Sequence, residues 1–131
     1  MATIFTKIIN REIPAYIVAE DKNFIAFLDI NPLAEGHTLV VPKREEDYIF
    51  DLSDLEVSEL IVFAKRVAKS IREVVPCKRI GLSVIGLEVP HAHVHLVPLN
   101  NTSDINFVKP KLTFTKQNYV ELALKISAVF K

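Results

Sequence analysis

Three histidines alternate with small or apolar residues in one short run, and this alternation constrains the fold more than any other feature of the chain. The run His91-Ala92-His93-Val94-His95 contains three of the four histidines. Successive side chains of a β-strand point to opposite faces. The pattern therefore predicts a strand over His91–Val97, with the imidazoles on one face and a core on the other. Because a buried imidazole costs desolvation free energy, folding alone does not call for three of them. We expect the chemistry of the chain to lie here.

Length and composition are typical of one compact domain over residues 1–131. Lys and Arg together number 16, as do Asp and Glu, so the formal net charge is zero. This balance argues against nucleic acid and anionic membranes as partners. Cys77 is the only cysteine, which excludes an intramolecular disulfide and a cysteine-based zinc site. No segment is typical of a secretion signal or a membrane span, and we expect a cytoplasmic protein.

Local patterns predict two main helices and five strands. Apolar residues at helical spacing between Ser53 and Pro76 indicate one long central helix, with Ser53 and Glu56 in a capping-box pattern. The helical period returns after Thr115, whereas at most a short helix precedes Pro14. The predicted strands are Tyr16–Ala19, Phe24–Leu28, His37–Val41, Ile80–Ile85 and His91–Val97. Because short connections join the strands, the sequence predicts an α+β fold with a mostly antiparallel sheet.

The histidine run leaves three chemical interpretations open. Alternate residues of a strand lie about 7 Å apart, so one metal ion binds two of these imidazoles more easily than three. A neutral imidazole could instead attack phosphorus, while a charged neighbour stabilises the phosphate oxygens. The third interpretation is a solvated polar face of an edge strand. Gly36, Gly81 and Gly86 are scattered along the chain, which argues against ATP hydrolysis by a phosphate-binding glycine loop.

The run also resembles a known signature. His91–Val97 is similar to that of the histidine triad (HIT) superfamily, in which three histidines alternate with apolar residues. Ile4–Ile9 with Glu12–Pro14 resembles the N-terminal segment of that family. Phe27–Pro32 and Gly36–Lys43 resemble its central block. These blocks occur in the order that the family has.

The resemblance implies both an architecture and an activity. The architecture is a five-stranded antiparallel sheet with two main helices, in a homodimer whose sheets join across the interface. The activity is hydrolysis or transfer at the α-phosphate of a nucleotide through a nucleotidyl-histidine intermediate, without a cofactor. His93 matches the nucleophile, and His91 and His95 match its flanking pair. The short chain resembles the nucleoside 5′-phosphoramidase branch, which releases AMP or GMP. Dinucleoside polyphosphate hydrolysis and nucleotide binding with little catalysis are the alternatives.

The resemblance also implies a nucleotide site. Asp29 matches the ribose-binding acid, and His37 matches a fourth histidine near the site. An aspartate beside Asn31 and Pro32 also suits simple turn chemistry. Apolar residues match the base pocket of the family, although their spacing alone favours ordinary core positions. These residues are Ile4, Phe5, Ile8, Phe27 and Ile30.

Two departures from the family pattern affect the expected chemistry. Leu87 follows Gly86 where the family usually has an amide side chain that contacts phosphate. Glu88 stands where the family usually has a hydroxyl side chain. Backbone N–H groups of Gly86 to Glu88 could still serve there, and Ser83 is the nearest polar candidate upstream. We expect activity with an altered rate or substrate preference.

The second departure concerns zinc. Many bacterial relatives have a structural zinc site with two cysteines near the chain start and a histidine after the central block. Here Thr3 and Thr6 stand at the cysteine positions and Glu45 at the histidine position. Because these ligands are altered together, we expect a protein without bound metal.

Overall fold

The computed structural model describes residues 2–131 and consists of a five-stranded sheet with three α-helices. The strands are β1 (Ile17–Glu20), β2 (Phe24–Leu28), β3 (Thr38–Pro42), β4 (Arg79–Ser83) and β5 (Val94–Leu99). The helices are α1 (Ile4–Ile9), α2 (Asp54–Val74) and α3 (Lys116–Ala128). Short 3-10 turns occupy Ile49–Asp51 and Thr102–Ile105. No helix of the described part of the chain is long and apolar enough to cross a membrane.

The sheet is antiparallel throughout, which confirms the predicted α+β fold. Its strand order is β1-β2-β3-β5-β4, so β1 and β4 form the edges. The Asp21–Asn23 segment closes the β1–β2 hairpin, where the Asp21 carboxylate accepts from the backbone N–H groups of Asn23 and Phe24. β3 and β5 are adjacent at the centre, and Leu39 lies opposite His95. The register therefore brings two segments that are distant in sequence to the middle of the sheet.

One face of the sheet carries the main hydrophobic core. α2 begins at the predicted Ser53 cap, whose hydroxyl accepts from the Glu56 backbone N–H. α2 buries Leu60, Phe63 and other apolar side chains against this face, and α3 adds Ile126. α2 ends at Val74, before Pro76, and α3 begins directly after Thr115, as the sequence predicts.

The opposite face holds α1 and a second apolar cluster. Phe5 and Ile8 of α1 pack with alternate residues of β2 and β3, among them Phe27 and Leu39. Because alternate residues of a strand share a face, His37 and His95 belong to this side as well. The histidines therefore lie on the face away from α2 and α3.

The strand predicted over His91–Val97 differs from the observed one. β5 begins only at Val94, so His95 alone of the three histidines lies in regular strand. The His91 backbone N–H donates to the Val89 carbonyl, and the Ala92 N–H donates to the Glu46 carbonyl. These bonds hold His91 to His93 as an extended loop leading into β5, because their partners lie outside the sheet ladder. β2 has the predicted bounds, and the boundaries of β1, β3 and β4 differ from the predicted ones by one or two residues.

Candidate active site

All four histidines of the chain are buried in one cluster. Their exposed fractions are 0% for His91, 6% for His93, 9% for His95 and 2% for His37. The rings of His93 and His95 meet edge to face at 4.9 Å between centroids, and those of His95 and His37 lie 5.2 Å apart. The histidine run thus joins His37 of the central block, as the resemblance implies. Burial of the histidines also disfavours the solvated polar face that the sequence left open.

A backbone carbonyl fixes which nitrogen of His93 is available for chemistry. His93 Nδ1 lies 2.7 Å from the His91 carbonyl oxygen. Because a carbonyl only accepts, Nδ1 carries the hydrogen and donates it. In neutral His93 the lone pair is therefore on Nε2, to which no hydrogen bond is made within residues 2–131. This tautomer is the one that a nitrogen nucleophile at Nε2 requires.

A second chain of hydrogen bonds gives His95 the opposite tautomer. The Leu33 backbone N–H donates to His37 Nδ1 at 2.9 Å, so neutral His37 carries its hydrogen on Nε2. His37 Nε2 lies 3.0 Å from His95 Nδ1 and donates to it. The hydrogen of neutral His95 is then on Nε2. The site thus presents one imidazole with a free lone pair beside another with a free N–H donor.

Burial keeps His37, His91 and His95 neutral near pH 7. Desolvation is the main cause that lowers the pKa of His37 to about 4 and that of His95 to about 3. Charge on His93 opposes their protonation further. Burial likewise lowers the pKa of His91. The tautomers assigned to His37 and His95 therefore hold over the neutral pH range.

His91 is tied to the protein through both ring nitrogens. Nε2 lies 2.8 Å from the Pro42 carbonyl oxygen and donates to it. Nδ1 lies 3.1 Å from the Thr3 hydroxyl. No ring nitrogen of His91 is left for substrate, so His91 supports the site and does not react in it.

Asp29 lies next to His37 at the edge of the cluster. One carboxylate oxygen accepts from the Asn31 backbone N–H at 2.8 Å, which is the turn chemistry that the sequence left as an alternative. The other oxygen lies 3.5 Å from His37 Nε2. The Asp29 side chain thus has both a structural contact and an oxygen directed to the site.

Asp29, His37 and His95 are the one group of possible metal ligands in the described residues, with ligand atoms within 4.8 Å of one another. Their hydrogen bonds do not favour a cation. The Leu33 N–H occupies His37 Nδ1, which leaves a hydrogen on the nitrogen that would face the metal. A metal ligand needs a lone pair at that atom. We interpret the group as a hydrogen-bonded unit.

The residues expected in a nucleotide pocket fall into two groups. Phe5, Ile8 and Phe27 are buried in the second apolar cluster, and the Phe5 ring meets the His93 ring at 5.0 Å. Ile4 and Ile30 are largely exposed. The first group forms a wall beside His93, as core residues do, while the second leaves apolar surface open.

The segment before the triad is open to solvent. Ser83 ends β4 opposite His95. Gly86 has a positive φ of 73°, a conformation that glycine adopts without strain. Leu87 is 89% exposed, and Glu88 is exposed as well. Neither side chain is packed in the structure.

Phe107 is a site residue that sequence reasoning missed. Its ring packs edge to face on His95 at 4.7 Å and faces His37 at 6.2 Å. The only available signal was one aromatic residue within the polar stretch after Thr102. Phe107 thus packs against His95 and His37 from the segment before α3.

A cavity of about 190 Å³ borders the site from the side of α3. Asp29 and His37 line it together with Phe114 and Tyr119, but no residue of the triad does. The Tyr119 hydroxyl donates to the Asp29 carbonyl at 3.0 Å. Because His93 does not line this cavity, a group that reacts with His93 would not lie in it.

Comparisons with known proteins place this geometry in a family. The HIT domain matches residues 10–102. An uncharacterised HIT-like protein of Borreliella burgdorferi is 33% identical over 132 residues, which cover 95% of each chain. The adenosine 5′-monophosphoramidase of Saccharomyces cerevisiae is 39% identical over 98 residues, which cover 74% of this chain and 62% of that protein.

A solved structure agrees with these relatives. The Hit-like protein of Bartonella henselae superposes with a TM-score of 0.83 at 30% identity, covering 96% of this chain and 94% of the other. The domain match includes all four clustered histidines and spans most of the sheet. The chain therefore belongs to the HIT family.

Proposed function

We propose that the protein is a nucleotide hydrolase or transferase that acts at the α-phosphate, with His93 as nucleophile. The single observation that carries the proposal is the hydrogen bond from His93 Nδ1 to the His91 carbonyl, which leaves the Nε2 lone pair free. The family supports the reaction class, because the yeast relative is named an adenosine 5′-monophosphoramidase.

The proposed reaction has two displacements at phosphorus. His93 Nε2 attacks the α-phosphorus, the bond from phosphorus to the leaving nitrogen breaks, and its electron pair departs with the amine, which takes up a proton. Water then attacks the nucleotidyl-histidine, the phosphorus–Nε2 bond breaks, and the electron pair returns to His93. Water supplies a hydroxyl to the phosphate and releases a proton. The products are the amine and a nucleoside monophosphate, AMP or GMP.

His95 supports both displacements from its Nε2–H. In the free protein it is neutral, so it donates a hydrogen bond to a phosphoryl oxygen or to the leaving group. The same N–H group hydrogen-bonds the leaving nitrogen as its bond to phosphorus breaks. Solvent water supplies the proton that the amine takes up.

The remaining contacts follow from the positions of the nearby groups. The Asp29 oxygen that faces His37 accepts from the ribose hydroxyls. The base rests on the open apolar surface of Ile4 and Ile30, with the Phe5 wall behind it. Backbone N–H groups at Gly86 to Glu88 hold the phosphate, since Leu87 has no polar side-chain group.

The principal alternative is dinucleoside polyphosphate hydrolysis by the same nucleophile. It requires an anionic leaving group, and the Glu88 carboxylate next to the phosphate-binding backbone repels such a group. This charge favours a neutral amine as the leaving group. A protein that binds nucleotides with little catalysis is the third outcome, and it follows if Leu87 and Glu88 weaken phosphate binding too far.

Incubation with adenosine 5′-phosphoramidate, with AMP measured by chromatography, tests the proposal. We expect the wild type to turn over this substrate and His93→Ala to have a rate that is lower by roughly 10³-fold or more. Lys69→Ala is the matched control, because Lys69 is exposed on α2 at the opposite face of the sheet. Rapid quenching followed by intact-mass analysis should detect one added nucleotidyl group. Equal turnover in His93→Ala and the wild type would refute the nucleophile assignment.

We also propose the homodimer, with the β4 edges of two copies paired. Among the strands of residues 2–131, β4 pairs only with β5, so its other edge presents backbone groups that no strand pairs. Leu82 of β4 is 48% exposed and Ile85 just beyond it is 44% exposed, an apolar surface that a second copy would cover. Pairing there would extend the two five-stranded sheets into one.

A further inference from the structure

We infer that Thr3, at the start of α1, is a positioning residue for the His93 nucleophile and acts through His91. The inference rests on the proposed function for its catalytic consequence only. Thr3 lies 88 positions before His91 in sequence, yet its hydroxyl oxygen is 3.1 Å from His91 Nδ1. The side chain is nearly buried, so water does not replace it readily.

The direction of this hydrogen bond follows from its surroundings. His91 Nε2 donates to the Pro42 carbonyl, so Nδ1 of neutral His91 is an acceptor. The Thr6 hydroxyl donates to the Glu45 carboxylate and has no second hydrogen for Thr3. The Thr3 hydroxyl is therefore the donor to His91 Nδ1. Its oxygen accepts at the same time from the Thr6 backbone N–H at 3.2 Å.

This bond matters for catalysis because His91 supplies the carbonyl that sets the tautomer of His93. The path runs from the Thr3 hydroxyl to the His91 ring and from the His91 backbone to His93 Nδ1. The ring of Phe5, two residues after Thr3, packs on the rings of His91 and His93, with centroids 5.9 and 5.0 Å apart. Thr3 thus fixes the start of α1 and the ring of His91 with one hydroxyl group.

The side chains beside His91 at the positions of the zinc ligands, which are Thr3, Thr6 and Glu45, do not suit a metal ion. In the zinc-binding relatives this position would require thiolates, whereas here Thr3 and Thr6 offer hydroxyls that bond to each other's backbone. A threonine hydroxyl does not ionise near neutral pH and is a poor zinc ligand compared with a thiolate. Hydrogen bonds therefore hold the His91 ring in place in this chain.

Thr3→Val tests the inference, because valine keeps the shape of threonine and removes its hydroxyl. The substitution also removes a helix cap, and Thr115→Val controls for that loss. Thr115 is exposed and caps α3 with the same capping-box geometry, and its side chain makes no hydrogen bond to a histidine within residues 2–131. Thr3→Ser retains both the cap and the donor, so it should restore the behaviour of the wild type.

Two readouts separate positioning from folding. We expect Thr3→Val to lower kcat for adenosine 5′-phosphoramidate roughly 10- to 100-fold, with little change in KM, because the misplaced His93 attacks poorly while substrate contacts remain. Thr115→Val should retain the kcat of the wild type. ¹⁵N spectra of the histidine side chains, with His91 assigned through His91→Gln, should show a change at Nδ1 in Thr3→Val and not in Thr3→Ser.

If the His91 Nδ1 signal is unchanged in Thr3→Val, the inferred hydrogen bond is overturned. If the signal changes while kcat does not, the positioning role of Thr3 is overturned. If the wild type has no activity on the phosphoramidate, the proposed function fails, while the ¹⁵N measurement still decides the hydrogen bond. A kcat loss in Thr3→Val that Thr3→Ser reverses supports the inference.

Discussion

Acid should destabilise this fold through its buried histidines, and His37→Asn should reduce the effect by the contribution of His37. Burial lowers the pKa of His37 from 6.5 to about 4 and that of His95 to about 3. Below pH 6.5 the unfolded chain therefore binds protons that the folded chain does not. The stability that neutral His37 and His95 contribute is present above pH 6.5 and is lost as the pH falls towards about 4 and about 3.

The expected size follows from the titration window. Each group costs about 1.4 kcal/mol per pH unit below 6.5, so at pH 5 each lowers the free energy of unfolding by about 2 kcal/mol. His37 and His95 together account for about 4 kcal/mol, a large part of the stability of an ordinary domain. Carboxylates contribute little above pH 5, because their ordinary pKa values lie below it. His37→Asn removes the contribution of His37, so over the same range it should lose about 2 kcal/mol less than the wild type.

Urea unfolding at pH 8, 6.5 and 5, followed by far-UV circular dichroism at one protein concentration, measures this difference. Thr38→Val is the matched control, since it removes a buried hydroxyl that donates to the Gly36 carbonyl but no titrating group. It should be less stable at every pH and keep the pH slope of the wild type. The reasoning is refuted if His37→Asn loses as much stability between pH 8 and pH 5 as the wild type.

Three other predictions concern the core, the metal and the interface. Phe63→Ala should lower the free energy of unfolding by about 3–5 kcal/mol, because Phe63 of α2 is buried in the main core. Phe50 is exposed, so Phe50→Ala should change the free energy of unfolding by less than about 0.5 kcal/mol. Equal effects of the two substitutions in urea unfolding would contradict the packing described. A chelator should leave Tm and activity unchanged, since hydroxyls replace thiolates beside His91, and a lowered Tm would reveal a structural metal. Leu82→Lys should convert the proposed dimer to a monomer in sedimentation velocity, and a dimer that persists would place the interface elsewhere.

Local patterns predicted the elements of the fold well. The Ser53 capping box and the apolar spacing after it placed α2, and β2 has the predicted bounds Phe24–Leu28. The signals for these elements lie within a few residues, so they can be read without tertiary information. The start of β5 was wrong because the bonds that hold His91 as a loop go to Val89 and Glu46, and the alternating pattern contains no trace of them.

The site was predictable as a set of residues and not as a set of hydrogen bonds. The histidine run and the resemblance together named His37 and the triad, which the fold brings together. The bond from Thr3 to His91 and the contact of Phe107 with His95 join segments whose spacing carries no signal. Such contacts depend on the registry of α1 and of the segment before α3 over the sheet, which only the folded chain defines.

The tautomers of the histidines depend mainly on backbone atoms, and this limits what side-chain changes can alter. The His91 carbonyl orients His93, the Pro42 carbonyl orients His91, and the Leu33 N–H orients His37. His95 receives its tautomer from His37. Because these atoms belong to the main chain, changes such as those at Leu87 and Glu88 leave the paired lone pair and N–H donor in place. Under the proposed function such changes act on the contacts of the phosphate, so they should alter substrate preference before they abolish the nucleophile.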